Sequence, residues 1–381
     1  MKHWKRILWA ATCLICLMLF GLMSHGDNQL IAMLTPQLAA DRWETEGKPY
    51  AMASVFLPAE QAISPDFIGE MYLNVENALT DGGVTSENYP WYYAASYMTE
   101  GTLYHEGAYS TVELTAIGGD FFRIHPMELL SGWYMDKDDV MRDAIILDRQ
   151  AAWELFYSWN AAGQYVELNG YTYIVAAVVD TEGGKYNELA AGATKRAWVL
   201  SDSPALADSE AGYTCIEMVL PQPIDGFAVS TLKSALNGAI SENAQITDNS
   251  GRFSLKNRWN TLRNAATWSV SDGGIDYPYW ENAAKLTENH LAIRLIPEAI
   301  LLAIPSISLL VLLLWLNHKR TWGFRSIRYV VEIALDQKRE KRYYAALNNT
   351  PSNKIPGFAN QSKLSTGFDT NGENNGSPLK R

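Results

Sequence analysis

Two long apolar runs without charge enclose a region in which short hydrophobic patterns alternate. The runs cover residues 7–23 and 299–316, which are 17 and 18 residues long. A helix of about 20 residues crosses the hydrocarbon core of a bilayer, which is about 30 Å thick. Tryptophan rings favour the headgroup layer, and they lie at or near the run ends as Trp4, Trp9, Trp315 and Trp322. We therefore predict transmembrane helices over residues 7–23 and 296–316.

Each run has an alternative interpretation. The first could be a cleaved signal peptide, but its apolar stretch exceeds the usual 7–15 residues and residues 21–26 form a poor cleavage site. The second could be a buried core helix, but a basic cluster follows at 317–320. Pro305 lies inside the second run and predicts a kink, while Arg294 and Glu298 flank its outer end.

The intervening region, residues 24–295, predicts an α+β fold. Residues 65–79, 149–159 and 225–240 have helical spacing. Ser64 before Pro65 is a plausible N-cap, and Asn169-Gly170 is a strong hairpin signal. Strand patterns occupy residues 51–57, 92–97, 109–117, 144–147, 165–168, 171–179, 197–200, 213–220, 245–247 and 253–255.

The order of these elements suggests how the domain is divided. Strand, helix and strand occur early, over 51–117, and again late, over 197–255. We predict a mixed α/β domain over 24–295 with an inserted β-rich subdomain at about 120–195.

After the second run, residues 317–347 are predicted to contain an amphipathic helix. Its apolar face has spacing i, i+3, i+4, i+7 and i+8, through Ile327, Val330, Val331, Ala334 and Leu335. Residues 348–381 are rich in Asn, Ser, Gly, Pro and Lys and are predicted to be disordered.

Charge is sorted along the chain. Residues 1–23 hold three basic and no acidic side chains, and residues 317–381 hold twelve basic and five acidic ones. Residues 24–316, by contrast, hold 16 basic and 37 acidic side chains. Lys and Arg near membrane helices are retained in the cytoplasm. We therefore place residues 1–6 and both termini in the cytoplasm, 24–295 outside, and the protein in the cell membrane. The acidic external region argues against binding nucleic acid.

The sequence offers little that indicates catalysis. The nucleotide-binding, zinc-protease and serine-hydrolase motifs are missing. Ser230 and Lys233 match S-x-x-K, and residues 247–249 loosely match its second element, but the third element K-T-G is missing. We predict a solvated helix face there, no catalytic residue and no enzyme activity.

Metal and cofactor sites are not predicted either. Asp136, Asp138 and Asp139 could bind a hard cation, but Met141 occupies the position at which an EF-hand needs glycine. The external histidines are scattered: His25, His105, His125 and His290. Of the cysteines, Cys13 and Cys16 lie in the first run, and Cys215 is expected to be a buried free thiol.

Aromatic residues are clustered. Such clusters can bind sugars or a partner protein, but large core residues of a β-rich domain are the interpretation we favour. The clusters are Tyr89, Trp91, Tyr92, Tyr93 and Tyr97; Trp133 and Tyr134; and Tyr277, Tyr279 and Trp280.

About sixty residues carry a family resemblance. Their pattern is a glycine with paired aromatics, a leucine and glycine, a short apolar strand, an alanine helix ending Leu-Phe, and a hairpin. The matching residues are Gly119-Asp120-Phe121-Phe122, Leu130, Gly132, 144–147, Ala151-Ala152, Leu155-Phe156, Gly163, 166–170 and 173–175. Residues 118–179 thus resemble the extracytoplasmic core domain of MacB/FtsX-like ABC transporter permeases, and residues 278–282 resemble the family's membrane-proximal segment.

The chain also departs from the family pattern. Trp133 stands where Arg is frequent, Tyr157 where Gly is usual, and Ala176-Ala177 replaces a glycine. The family's permeases have four membrane helices, and this chain has two apolar runs, so it resembles a truncated or split permease subunit.

The resemblance implies a non-catalytic subunit that couples the motion of a separate ATP-binding subunit to export or extracytoplasmic action. Other permease subunits and the lipid bilayer are the further partners that it implies. The alternative is a two-helix membrane sensor or cell-surface binding protein with an external ligand domain.

Overall fold

The structure is a computed structural model that describes residues 2–44, 49–84, 88–180, 182–207, 209, 211–240, 243–265, 274–319 and 324–348. The chain divides into two compact units, Met1–Leu310 and Val311–Arg381. Residues 349–381, which are predicted to be disordered, lie outside the described residues.

Helices and strands alternate along the chain up to Lys319. The helices are α1 (Lys2–Ala32), α2 (Ile68–Asp81), α3 (Phe121–Ile124), α4 (Arg149–Phe156), α5 (Lys185–Ala191), α6 (Phe227–Ala235), α7 (Leu255–Arg263) and α8 (Tyr279–Lys319), and α9 (Phe324–Asn348) lies in the second unit. The strands are β1 (Tyr50–Phe56), β2 (Tyr92–His105), β3 (Ala108–Gly119), β4 (Glu128–Gly132), β5 (Ala144–Asp148), β6 (Tyr165–Leu168), β7 (Tyr171–Asp180), β8 (Arg196–Leu200), β9 (Cys215–Pro221) and β10 (Gln245–Asp248).

The ten strands found in the described part of the chain belong to one sheet. Its order is β10-β1-β9-β2-β3-β8-β5-β7-β4, and β6 pairs with both β2 and β7. The strands β2, β3, β8, β5, β7 and β6 therefore close into a ring. The segment predicted as an inserted subdomain, about 120–195, supplies β4 to β7 of this same sheet. The β6–β7 hairpin turns at Asn169-Gly170, as predicted.

The central strands are buried on both faces. In β1, Ala51, Ala53 and Val55 enter one core with α2, α4 and α6, while Met52 and Phe56 enter the other. Successive side chains of a strand point to opposite faces, so burial on both sides explains why β1 reads as a nearly continuous apolar run. The second core also contains Tyr277, Tyr279 and Trp280.

Local capping sets several helix ends. The Ser64 hydroxyl accepts a hydrogen bond from the Asp66 amide, as expected of the predicted cap. The helix predicted over 149–159 ends at Phe156, because Tyr157 adopts the left-handed conformation with φ 51°. The strand predicted over 253–255 is wrong. The Ser254 side chain accepts from the Asn257 amide and starts helix α7 there.

The two apolar runs lie on α1 and α8, which are antiparallel. The Trp9 indole donates to the Ser308 hydroxyl at 3.0 Å, and the Arg294 guanidinium donates to the Met23 carbonyl at 3.1 Å. Both helices are long and apolar enough to cross a membrane, and α8 continues through Pro297 and Pro305. The predicted fold class is confirmed: a mixed α/β domain is flanked by two candidate membrane helices.

Gly132 provides a test of the packing at β4. It has φ +82°, and an added Cβ would overlap the Ala176 carbonyl oxygen, whereas Gly163, with φ +86°, has no atom within 4 Å of that position. We expect Gly163→Ala to lower the free energy of unfolding by about 1–2 kcal/mol, the cost of a left-handed L-residue. Gly132→Ala should cost a further ~1–3 kcal/mol from overlap.

Thermal unfolding of the two variants in detergent, followed by circular dichroism, measures the difference. Equal stability of the two variants would contradict the close packing of β4 on β7.

Candidate functional site at the helix–sheet junction

Four charged side chains meet where α1 and α8 leave their apolar runs. Asp27 of α1 is 1% exposed and lies 2.7 Å from Arg294 of α8 and 3.2 Å from Arg258 of α7. Glu298 of α8 is 3.9 Å from Arg258. We call Asp27, Arg258, Arg294 and Glu298 the junction cluster. Because a buried carboxylate requires cationic partners, this cluster joins three helices.

A second ion-pair group fixes the start of α8. Both terminal nitrogens of Arg252 lie 2.7 Å from the carboxylate of Glu281, and Arg252 is 3.0 Å from Glu288. Burial alone lowers the pKa of Arg252, but the attraction of Glu281 and Glu288 outweighs it and raises the pKa above the ordinary arginine value. The guanidinium therefore stays charged and holds the β10–α7 loop to α8.

The segment after α1 is held by hydrogen bonds to main-chain carbonyls. The Gln37 amide donates to the Trp280 carbonyl at 3.0 Å, and the Asn187 amide donates to the Met33 carbonyl at 2.8 Å. Arg42 donates to the carbonyl of Ile124 at 2.6 Å. These bonds tie the segment after α1 to α8, α5 and α3.

Aromatic rings complete the contact between α8 and the sheet. The Trp280 ring centroid lies 4.6 Å from that of His125 and 5.8 Å from that of Phe121. The Arg196 guanidinium lies 4.3 Å from the Tyr279 ring centroid. The aromatic cluster at 277–280 is thus core, as favoured from the sequence, whereas Trp133 is 61% exposed.

The residues that the sequence singled out for possible chemistry are dispersed. Ser230 and Lys233 are exposed on α6, where the Ser230 hydroxyl donates to the Phe227 carbonyl. In the acidic loop, the Asp139 carboxylate accepts from the Asp136 amide at 2.9 Å, and the Asp136 carboxylate accepts from the Asp138 amide at 3.1 Å. These carboxylates therefore stabilise their own turn.

The histidines have separate surroundings. His25 contacts Gln29, His105 contacts the Tyr165 carbonyl, His125 contacts Glu217, and the ring of His290 lies beside Tyr186. Within the described ranges, no group of three His, Cys, Asp or Glu side chains could hold a metal ion.

Cys215 is buried, and burial raises the pKa of its thiol well above the usual value. The thiolate is therefore disfavoured, which makes the side chain a poor nucleophile in the folded protein.

Sequence reasoning missed most of the junction. Arg294 and Glu298 were identified as flanking the second apolar run. Asp27 was not identified as a candidate, although it lies four residues past the first run. Arg252 and Arg258 lie in a segment whose predicted strand is wrong. The signal available in the sequence was Asp27 itself, an acidic residue just past an apolar run, where a buried carboxylate needs a cationic partner.

This arrangement is suited to mechanical coupling. Among the described residues, the ion pairs of the junction cluster connect α1, α7 and α8. Arg252 connects the loop after β10 to α8. A displacement of the two apolar helices would therefore reach α7 and this loop.

Comparison with known proteins gives one family match. Residues 31–216 match the model described as the MacB-like periplasmic core domain. No match was found among curated proteins.

Two solved structures share low identity with the chain. The first is the extracellular domain of the noncanonic ABC-type transporter YknZ from Gram-positive bacteria, with 15% identity, TM-score 0.37, and coverage of 51% of this chain and 99% of that one. The second is the periplasmic region of MacB from Actinobacillus actinomycetemcomitans, with 16% identity, TM-score 0.38, and coverage of 56% and 92%. Since both TM-scores are below 0.5, the assignment of the domain depends on the family match over residues 31–216.

Asp27→Asn tests the junction cluster. The change removes the charge between Arg258 and Arg294, so we expect the free energy of unfolding to fall by about 3–5 kcal/mol, as for a broken buried ion pair. Glu154→Gln is the matched control because Glu154 and its partner Lys195 are 44% and 28% exposed, and surface pairs contribute about 0–1 kcal/mol.

Denaturation of both variants in detergent micelles measures these losses. If Asp27→Asn were no less stable than Glu154→Gln, the junction cluster would not hold the helices together.

Proposed function

Residues 31–216 form a MacB-like periplasmic core domain, and from this premise we propose that the chain is a non-catalytic, permease-like subunit of an ABC transporter complex. Its extracytoplasmic domain couples the ATP-driven motion of a partner to substrate export or to action outside the membrane.

The ion-paired junction is the observation that carries this proposal. Asp27 and Arg252 connect α1 and α8 to α7 and to the loop after β10. A partner that moves the membrane helices would displace the external domain with them, and such coupling needs rigid elements rather than reactive side chains.

In the proposed topology both termini are cytoplasmic and the sheet is extracytoplasmic. The antiparallel contact of Trp9 with Ser308 brings the start of α1 and the second half of α8 to the same end of the pair. Lys2, Lys5 and Arg6 are at that end, and basic residues beside membrane helices favour the cytoplasmic side.

Single cysteines test this topology in a background without the native thiols. Val140 is 92% exposed on the external domain, and Gln337 is exposed on α9. A membrane-impermeant maleimide added to intact cells should label Val140→Cys and not Gln337→Cys, which should react only after permeabilisation. Labelling of Gln337→Cys in intact cells would contradict the proposed orientation.

The proposed partners are a separate ATP-binding subunit and permease subunits that supply further membrane helices. Helix α9 carries KREKR at 338–342 and exposed Val331 and Leu335, so one face is apolar and the helix is rich in charge. We propose that this helix contacts the inner leaflet or the ATP-binding subunit.

Detergent pull-down tests the partners. The full chain should co-purify an ATP-binding subunit, and deletion of 324–348 should reduce its recovery, whereas deletion of 349–381 serves as the control. Equal recovery after both deletions would place the ATPase contact elsewhere. Recovery of a signalling kinase instead of an ATPase would favour the sensor alternative.

A further inference from the structure

Beyond the junction, buried polar side chains continue from α8 across the sheet. The Arg252 guanidinium donates to the side-chain carbonyl of Asn249 at 3.0 Å, and the Asn249 amide donates to the Ser54 hydroxyl at 2.9 Å. The Ser54 hydroxyl donates to Glu217 at 3.1 Å. The other Glu217 oxygen contacts Nε2 of His125.

Every member of this series is buried, with at most 7% of its surface exposed. It begins at Glu281 on the first turns of α8, follows the end of β10, crosses β1 and β9, and ends at His125, just after α3. We call Glu281, Arg252, Asn249, Ser54, Glu217 and His125 the polar chain.

From Arg252 to Glu217, the hydrogen bonds of the polar chain are all donated in one direction. Positive Arg252 donates to the Asn249 amide, which donates to the Ser54 hydroxyl, which donates to the acidic Glu217. Linked hydrogen bonds polarise one another in a low-dielectric interior, and each lost link leaves a buried polar atom unsatisfied. Movement at one end is therefore costly unless the next side chain follows.

We propose that the polar chain positions His125 and the α3 turn according to the position of α8. Ser54, Asn249 and Glu217 act as positioning residues that link the membrane helix to the α3 turn along the face of the sheet on which α8 begins. The inference rests on the proposed function in one respect: the polar chain would be a route by which displacement of the membrane helices reshapes the external domain.

A second route must be separated from this one. Trp280, next to Glu281 in sequence, has its ring centroid 4.6 Å from that of His125, so a change at Glu281 could reach His125 through that ring. The test therefore needs a variant that interrupts the polar chain while leaving Trp280 in place, and Asn249→Ala is that variant.

The imidazole nitrogens of His125 report the coupling. The full chain, labelled with ¹⁵N-histidine and reconstituted in nanodiscs, gives the His125 resonances, which His125→Gln assigns. Glu281→Gln should shift the Nε2 resonance. In the Asn249→Ala background, the same substitution should produce less than half of that shift.

Glu154→Gln is the matched control, since it removes an ion pair outside the polar chain and should leave His125 unchanged. Ser54→Ala removes a single hydroxyl and should uncouple His125 as Asn249→Ala does, which keeps the test usable if the Asn249 variant fails to fold.

No shift in Glu281→Gln, or an equal shift in the Asn249→Ala background, would overturn the proposal, the latter by assigning the coupling to Trp280. The measurement needs no partner subunit. It can therefore succeed even if the transport role is wrong, and fail even if that role is right.

Discussion

The placement of the external domain on the membrane helices depends on one buried carboxylate, that of Asp27. Removing a carboxylate from water costs several kcal/mol unless cations surround it. Arg258 and Arg294 meet this requirement from two other helices. The burial of Asp27 therefore requires that α1, α7 and α8 stay together. This restraint acts with the Arg252 ion pairs and the second core to place the sheet relative to the apolar runs.

A rigid attachment of this kind agrees with the proposed coupling role. The sheet is packed on both faces, and the segment after α1 and the first turn of α8 both enter its second core. The domain between α1 and α8 is thereby held at both of its ends. Since packed cores are bistable rather than continuously deformable, motion of the helices would move the domain as a body or switch it between arrangements.

Local signals were sufficient for much of the fold. The apolar runs, the Asn169-Gly170 turn and the strand β1 each depend on neighbouring residues, and the structure confirms the helices, the turn and the strand. The junction could not be predicted because its partners are distant: Asp27 and Arg258 are 231 positions apart. At the start of α7, the alternation of apolar and polar residues over 253–255 predicted a strand, whereas the Ser254 side chain caps a helix there. Long-range ion pairs leave no periodic pattern in a sequence.

The pairing of α1 with α8 inside one chain is the most direct point at which to test this account. The Cys13 sulfur lies 3.5 Å from the Ser308 hydroxyl oxygen, so Ser308→Cys, in a chain that retains Cys13 and lacks Cys16 and Cys215, places two thiols in contact. Oxidation should link the two helices within a single polypeptide, and Leu310→Cys, which faces another direction on α8, should not cross-link. Cross-linking of Leu310→Cys with equal yield, or a product containing two chains, would contradict the antiparallel pair.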